Sequence, residues 1–251
     1  MQPSQSSLRG RAIHCEARRH EVLILLGIKM RNILRHSFPI FTLSLCVSFL
    51  ISPVLSQELK ENPDLDKKVS EFIDSYRWRD MNVPESDGQI LYDLIIENNY
   101  TKALEIGTST GHSGIWIAWA LSKTGGKLIT IEIDEYRYKR ALSNFKEAGL
   151  SEYIDARLAD AHELVPQLKG PFDFVFSDAD KYWYKNYAVA VLPKLEVGGC
   201  FTAHNVSRFG RRQGGGIGEF VDYITSLPNL ETTFGGPTGR SSLSISYKKS
   251  D

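Results

Sequence analysis

Lys102-Ala-Leu-Glu-Ile-Gly107-Thr-Ser-Thr-Gly111-His-Ser-Gly114 decides the fold. The first five residues read as a short buried strand that stops at a glycine, and an apolar helix follows from Gly111 to Ser122. The same grammar repeats downstream. Lys127–Ile133 is an apolar strand and Glu135–Ala148 a helix stopped by Gly149. Strands at 154–158, 172–177 and 197–203 alternate with helices at 161–168, 183–192 and 217–227. Five strand–helix units in a row predict a parallel sheet covered by helices on both faces. Two late strands, 230–234 and 241–247, are joined through Gly235-Gly-Pro-Thr-Gly239 with no helix between them, which predicts a hairpin. The expected architecture is α/β and Rossmann-like: a mostly parallel sheet of seven strands with one antiparallel strand. Upstream, two amphipathic helices are predicted over 58–76 and from Pro84-Glu-Ser-Asp87 onward.

The chain has 251 residues, 42% hydrophobic and 24% charged, with 30 Lys/Arg against 30 Asp/Glu. That is globular composition, and the balance leaves no basic footprint for nucleic acid. Cys15, Cys46 and Cys200 match no zinc spacing and are too few for a disulfide scaffold.

The charge is unevenly spread. Residues 1–56 hold seven Lys/Arg against Glu16 and Glu21, so the remainder is net acidic. From Met30 the chain shows a basic start, fourteen mostly apolar residues (38–51) and a small-residue end, the three-part layout of a secretory signal. Residues 1–29 then read as a mis-assigned upstream extension, 30–56 as the signal, and 57–251 as one domain. Two alternatives stay open for 38–51: an uncleaved membrane anchor and a core helix. The expected location is outside the cytoplasm or at the membrane.

The first turn suits a nucleoside. Its glycines let the backbone approach a ligand, and Glu132, at the end of the second strand, is placed to accept from ribose hydroxyls. The glycine spacing is not that of dinucleotide enzymes, and there is no Tyr-x-x-x-Lys pair, which argues against a nicotinamide oxidoreductase. An acid inside the turn, Glu105, suits a cationic ligand such as S-adenosyl-L-methionine.

Six blocks in order carry a family resemblance: Met81–Ile90, Leu104–Ser113, Ile129–Asp134, Asp160-Ala161, Phe172–Lys181 and Ala203–Val206. The segment 81–248 resembles the class I methyltransferases of the catechol and caffeoyl-CoA O-methyltransferase type. The resemblance implies methyl transfer from S-adenosyl-L-methionine to a hydroxyl of a small, phenolic or catechol-like acceptor. It implies that Val83 and Glu105 hold the methionine end, with Gly107, Ser109, Gly111 and Ser113 forming the loop. It implies that Glu132 takes the ribose, that Asp160 and Ala161 border the adenine, and that Asp178 and Asp180 are polar neighbours. A homodimer is the assembly common among similar enzymes.

The same resemblance implies a divalent cation held by Asp178, His204 and Asn205, with Lys181 as general base. Such an ion would orient the acceptor hydroxyl and lower its pKa. This chain departs from the family at His204, where members carry Asp. Imidazole suits manganese, iron or zinc better than magnesium. Three readings stay open: a metal site with a softer ion, a metal-free site with His204 as base, and a structural histidine. Arg208, Arg211 and Arg212 in the glycine-rich stretch 207–216 suggest either a lid over an acidic acceptor or a solvated loop. A catalytically silent, exported cofactor-binding domain is the alternative from a different functional class.

Overall fold

The computed structural model describes residues 58–209, 216–236 and 242–251. The expected signal or anchor, most of the arginine-rich loop and the hairpin tip lie outside the described residues. Among the described residues, no helix is long and apolar enough to cross a membrane.

Two helices precede the sheet: α1 (Pro63–Ser75) and α2 (Glu85–Asn98). Helix α1 starts later than the periodicity predicts, because Pro63 takes the first helical position and the Asn62 side chain caps it by accepting from the Leu65 amide. The alternating units follow as β1 (Lys102–Ile106), α3 (His112–Thr124), β2 (Lys127–Glu132), α4 (Glu135–Ala148), β3 (Ile154–Leu158), α5 (Ala161–Gln167), β4 (Phe172–Ser177), α6 (Tyr184–Val191), β5 (Leu195–Ala203) and α7 (Gly216–Ser226). The chain ends with β6 (Leu230–Phe234) and β7 (Ser244–Lys248).

The seven strands are ordered β3-β2-β1-β4-β5-β7-β6. Strands β1 to β5 pair in parallel, and β7 runs antiparallel to both β5 and β6. The expected single antiparallel strand is therefore β7, inserted between β5 and its hairpin partner. Strand β5 begins two residues earlier than the reading of 197–203. Its paired register starts at Leu195 and shifts before Cys200, so the extra length lies beyond an irregularity that the glycines 198 and 199 accommodate. The described cysteine, Cys200, is free and buried.

The central strands are buried along nearly their whole length; every residue of β4 is buried. This is the pattern of a sheet covered on both faces. One face packs Leu104, Val175, Phe201 and Tyr184 with α6 and α7. The other packs Phe174, Phe176 and Leu128 with α2 and α3. A third cluster joins α1 to α3 and α4 through Phe72, Trp116 and Phe145.

The parallel register brings the carboxyl ends of β1 and β4 side by side. Ile106 pairs with Ser177, and the Asp178 amide donates to the Ile106 carbonyl at 2.9 Å. Gly107 then turns with φ +99°, and a Cβ there would sit 2.6 Å from the Asp178 carbonyl oxygen. Only a residue with no side chain fits both the positive φ and this contact. Gly107→Ala is expected to cost about 2–4 kcal/mol. Urea unfolding of the two proteins checks it, and an equal midpoint would contradict it.

Candidate active site

The strand ends open into a cavity of about 550 Å³. Val83, Gly107, Ser109, Ser113, Glu132, Asp160, Ala161, Asp178, Asp180, Lys181, His204 and Asn205 all stand on its wall. A larger cavity of about 650 Å³ opens at the other edge of the sheet, near Lys102, Lys127 and Phe172. Open α/β sheets bind ligands outside the carboxyl ends of their strands, so the smaller cavity is the functional candidate.

Two residues expected at the cofactor are not on the wall. Glu105 is fully buried in β1. Its Oε2 accepts from Thr130 Oγ1 at 2.5 Å, Ser113 lies beside it, and its Oε1 has no hydrogen-bond partner. Burial drives its carboxyl up to about 7, against the opposing hydrogen bonds of Ser113 and Thr130. Glu105 thus reaches the cavity through Ser113, which is on the wall. Gly111 has a different task. A Cβ there would lie 2.6 Å from the Phe145 ring, so its absence lets the loop pack onto α4.

Glu132 sits where the sequence places it, at the end of β2 and 6% exposed. Its Oε2 accepts from the Ser109 amide at 2.7 Å, and its Oε1 from the Ile133 and Asp134 amides at 3.0 and 2.9 Å. These bonds fix the carboxylate on the wall. Asp160 caps α5 by accepting from the His162 amide at 2.8 Å. His162 stacks on Trp183 at 3.8 Å between ring centres, and its Nε2 lies 3.4 Å from Asp180. Trp183 therefore packs against a residue of the cavity wall, a contact that spacing does not reveal.

Val83 is held from behind. His112 Nδ1 lies 2.9 Å from the Val83 carbonyl, and its Nε2 accepts from Trp116 Nε1 at 3.2 Å. That pairing puts the His112 proton on Nδ1. Burial lowers His112 to about 4, so the ring is neutral near pH 7 and stacks on Trp78 at 4.2 Å.

Asp178, Lys181, His204 and Asn205 stand together on another part of the cavity wall. Asp178 Oδ2 meets His204 Nδ1 at 2.9 Å, while its Oδ1 faces Lys181 Nζ at 3.5 Å and the Tyr184 hydroxyl at 3.4 Å. Burial alone would raise the Asp178 carboxyl; the hydrogen bond and charge of His204, then Lys181, outweigh it and hold it below the usual range. Asn205 is exposed and adopts φ +56°. The other face of the His204 ring meets Asp87, which is 3% exposed, with Nε2 and Oδ2 3.2 Å apart. Sequence reading took Asp87 only as part of a helix start. The helix carries acids at 85, 87, 93 and 97, and nothing in the spacing sets Asp87 apart from the others.

These residues do not, as placed, fit a divalent cation. Both nitrogens of His204 face carboxylates. Among the described residues, no three His, Cys, Asp or Glu side chains converge on one point.

Comparison with known proteins agrees with this layout. The model of the family described as O-methyltransferase matches residues 56–213. The chain belongs to this O-methyltransferase family. It is 32% identical to caffeoyl-CoA O-methyltransferase 1 of Eucalyptus globulus over 169 residues, which cover 63% of this chain and 68% of that one. It is 37% identical over 135 residues to the catechol O-methyltransferase of Niastella koreensis, covering 52% and 61%. The O-methyltransferase of Bacillus cereus, solved in complex with SAH, superimposes with a TM-score of 0.61 and 27% identity, covering 79% of this chain and 95% of that one. The sheet of this O-methyltransferase is thus shared with a solved O-methyltransferase.

Glu105 sets a pH signature. The folded protein keeps this carboxyl protonated up to about pH 7, whereas the unfolded chain releases the proton near its ordinary value of 4.5. Between those values the native state binds more protons, so this group's contribution to stability is lost as pH rises. Glu105→Gln should gain on the parent protein by about 2–4 kcal/mol between pH 4 and pH 8. Urea melts at both pH values check this, and a constant difference would contradict it.

Proposed function

We propose that the cavity binds S-adenosyl-L-methionine and that the enzyme transfers its methyl group to a hydroxyl of a small, phenolic or catechol-like acceptor. The observation that carries this reading is the line of acidic groups along one sheet edge, Glu132, Asp160 and Asp178 on the wall with Glu105 behind Ser113. A cationic donor carrying a ribose answers that arrangement: Glu132 faces the hydroxyls, Asp160 and Ala161 border the base, and Ser113, Gly107 and Val83 surround the methionine end. A bound SAH in the Bacillus cereus relative supports the same reading.

The acceptor enters beside Lys181 and Asn205. Methyl transfer needs an oxygen lone pair aligned with the methyl–sulfur bond, and the hydroxyl proton must leave. Lys181 Nζ, at the exposed rim, is the group we assign to take that proton, acting in its unprotonated form; its contact with Asp178 Oδ1 at 3.5 Å sets where the nitrogen stands. Asn205, with its amide at the mouth, orients the acceptor. His204 orients Asp178 instead of acting as the base, because its Nδ1 is occupied and its Nε2 faces a buried carboxylate. No step is assigned to a metal.

Calorimetry of the full chain with S-adenosyl-L-methionine tests the donor site. One-to-one binding is expected, weakened at least tenfold in Glu132→Ala, a loss of about 1.4 kcal/mol or more. Absence of binding would overturn the reading. Steady-state turnover on a catechol panel tests the base. Lys181→Ala should lower kcat by about 10²–10⁴ with donor affinity nearly unchanged. Binding without turnover on any hydroxylated acceptor would favour the catalytically silent domain.

A further inference from the structure

Asp87 enters the site from a direction that the chemistry above leaves unused. It lies in the first turn of α2, and its Oδ2 accepts from Ser242 Oγ at 3.2 Å as well as facing His204 Nε2. Asp178 comes from the far end of β4 and meets the same ring at Nδ1. One imidazole, 8% exposed at its side chain, therefore lies between a buried carboxylate, Asp87, and a partly buried one on the cavity wall, Asp178. The Nδ1 contact is a hydrogen bond. The Nε2 atom lies 3.2 Å from Asp87 Oδ2 but off hydrogen-bond geometry.

An acid buried like Asp87, with a partly buried one across the same ring, needs compensation. A divalent cation is one way to supply it, and a nitrogen ring set between them is another. The ring already engages Asp178 Oδ2 at 2.9 Å. A hard ion such as magnesium demands near-octahedral oxygen donors, and a softer ion needs a ring nitrogen turned toward it. Neither condition is met, since Asp178 Oδ2 is engaged by the ring and its Oδ1 faces Lys181 and Tyr184.

We propose that the Asp87–His204–Asp178 bridge is a built-in replacement for a metal ion, and that His204 closes the acceptor site of this enzyme to divalent cations. Asp87 lies against the opposite edge of that ring. The functional meaning of the bridge rests on the methyl-transfer reading, but ion exclusion is measured with neither donor nor acceptor present. Failure of one is therefore distinguishable from failure of the other.

The test is manganese uptake by the full chain, read from the electron-spin resonance signal of free Mn²⁺. The parent protein is expected to take up no stoichiometric Mn²⁺ at micromolar concentrations. His204→Asp is expected to bind one ion per chain at least tenfold more tightly, and the double variant with Asp178→Asn to lose that gain. Circular dichroism reports folding; if His204→Asp does not fold, His204→Asn is read the same way, with a smaller gain. Micromolar uptake by the parent protein that Asp178→Asn abolishes would overturn the proposal. So would a folded His204 variant that gains no ion.

Discussion

The site depends on one backbone contact, the meeting of Gly107 with Asp178. Two parallel strands, adjacent in the sheet but about seventy residues apart in sequence, end level with one another. The Asp178 amide closes onto Ile106, and the turn at Gly107 folds against the Asp178 carbonyl. The loop after β1 and the acidic residue after β4 become neighbours through this contact. A donor in the first and an acceptor beside the second would then share one cavity. Everything else at this edge, including Glu132 from β2 and His204 from β5, is brought in by the same level register.

That geometry concentrates negative charge in a place water hardly reaches, and the chain meets the difficulty in three ways. Glu105 retains its proton to about pH 7 and leans on Thr130 and Ser113. Glu132 accepts three backbone amides. Asp178 takes His204, Lys181 and Tyr184 as neighbours. The first solution keeps a charge latent, the second fixes a carboxylate in position, and the third ties Asp178 to a ring. The neutral His112 behind Val83 belongs to the same economy of buried groups: burial removes its charge, and its two nitrogens then serve one acceptor and one donor.

Most of the architecture was legible because period and punctuation agree. The apolar runs 102–106, 127–132 and 172–177, each followed by a helical pattern, leave little choice but a parallel sheet. The hairpin signal after residue 230 correctly placed an antiparallel strand. The wall residues were legible because strand ends in such a sheet lie at one edge. What escaped the reading depends on depth and on distant contacts. Glu105 looks like a wall residue in the sequence, and only the packing of Ser113 and Gly114 puts it behind the wall. Gly111 reads as part of a ligand loop, yet its missing side chain serves Phe145. Asp87 and His204 are more than a hundred residues apart, and no spacing announces that one ring joins Asp87 to Asp178.

In the proposed complex the carboxyl edge of the sheet holds a methyl donor with its ribose on Glu132 and its amino-acid end toward Ser113 and Val83. A crystal structure of the chain with bound S-adenosylhomocysteine tests it most directly. The account predicts ligand density in the cavity between Glu132 and Asp178, with both ribose hydroxyls at the Glu132 carboxylate and the homocysteine end over Gly107. Density in the cavity beside Lys102 and Phe172, or a ribose turned away from Glu132, would contradict it.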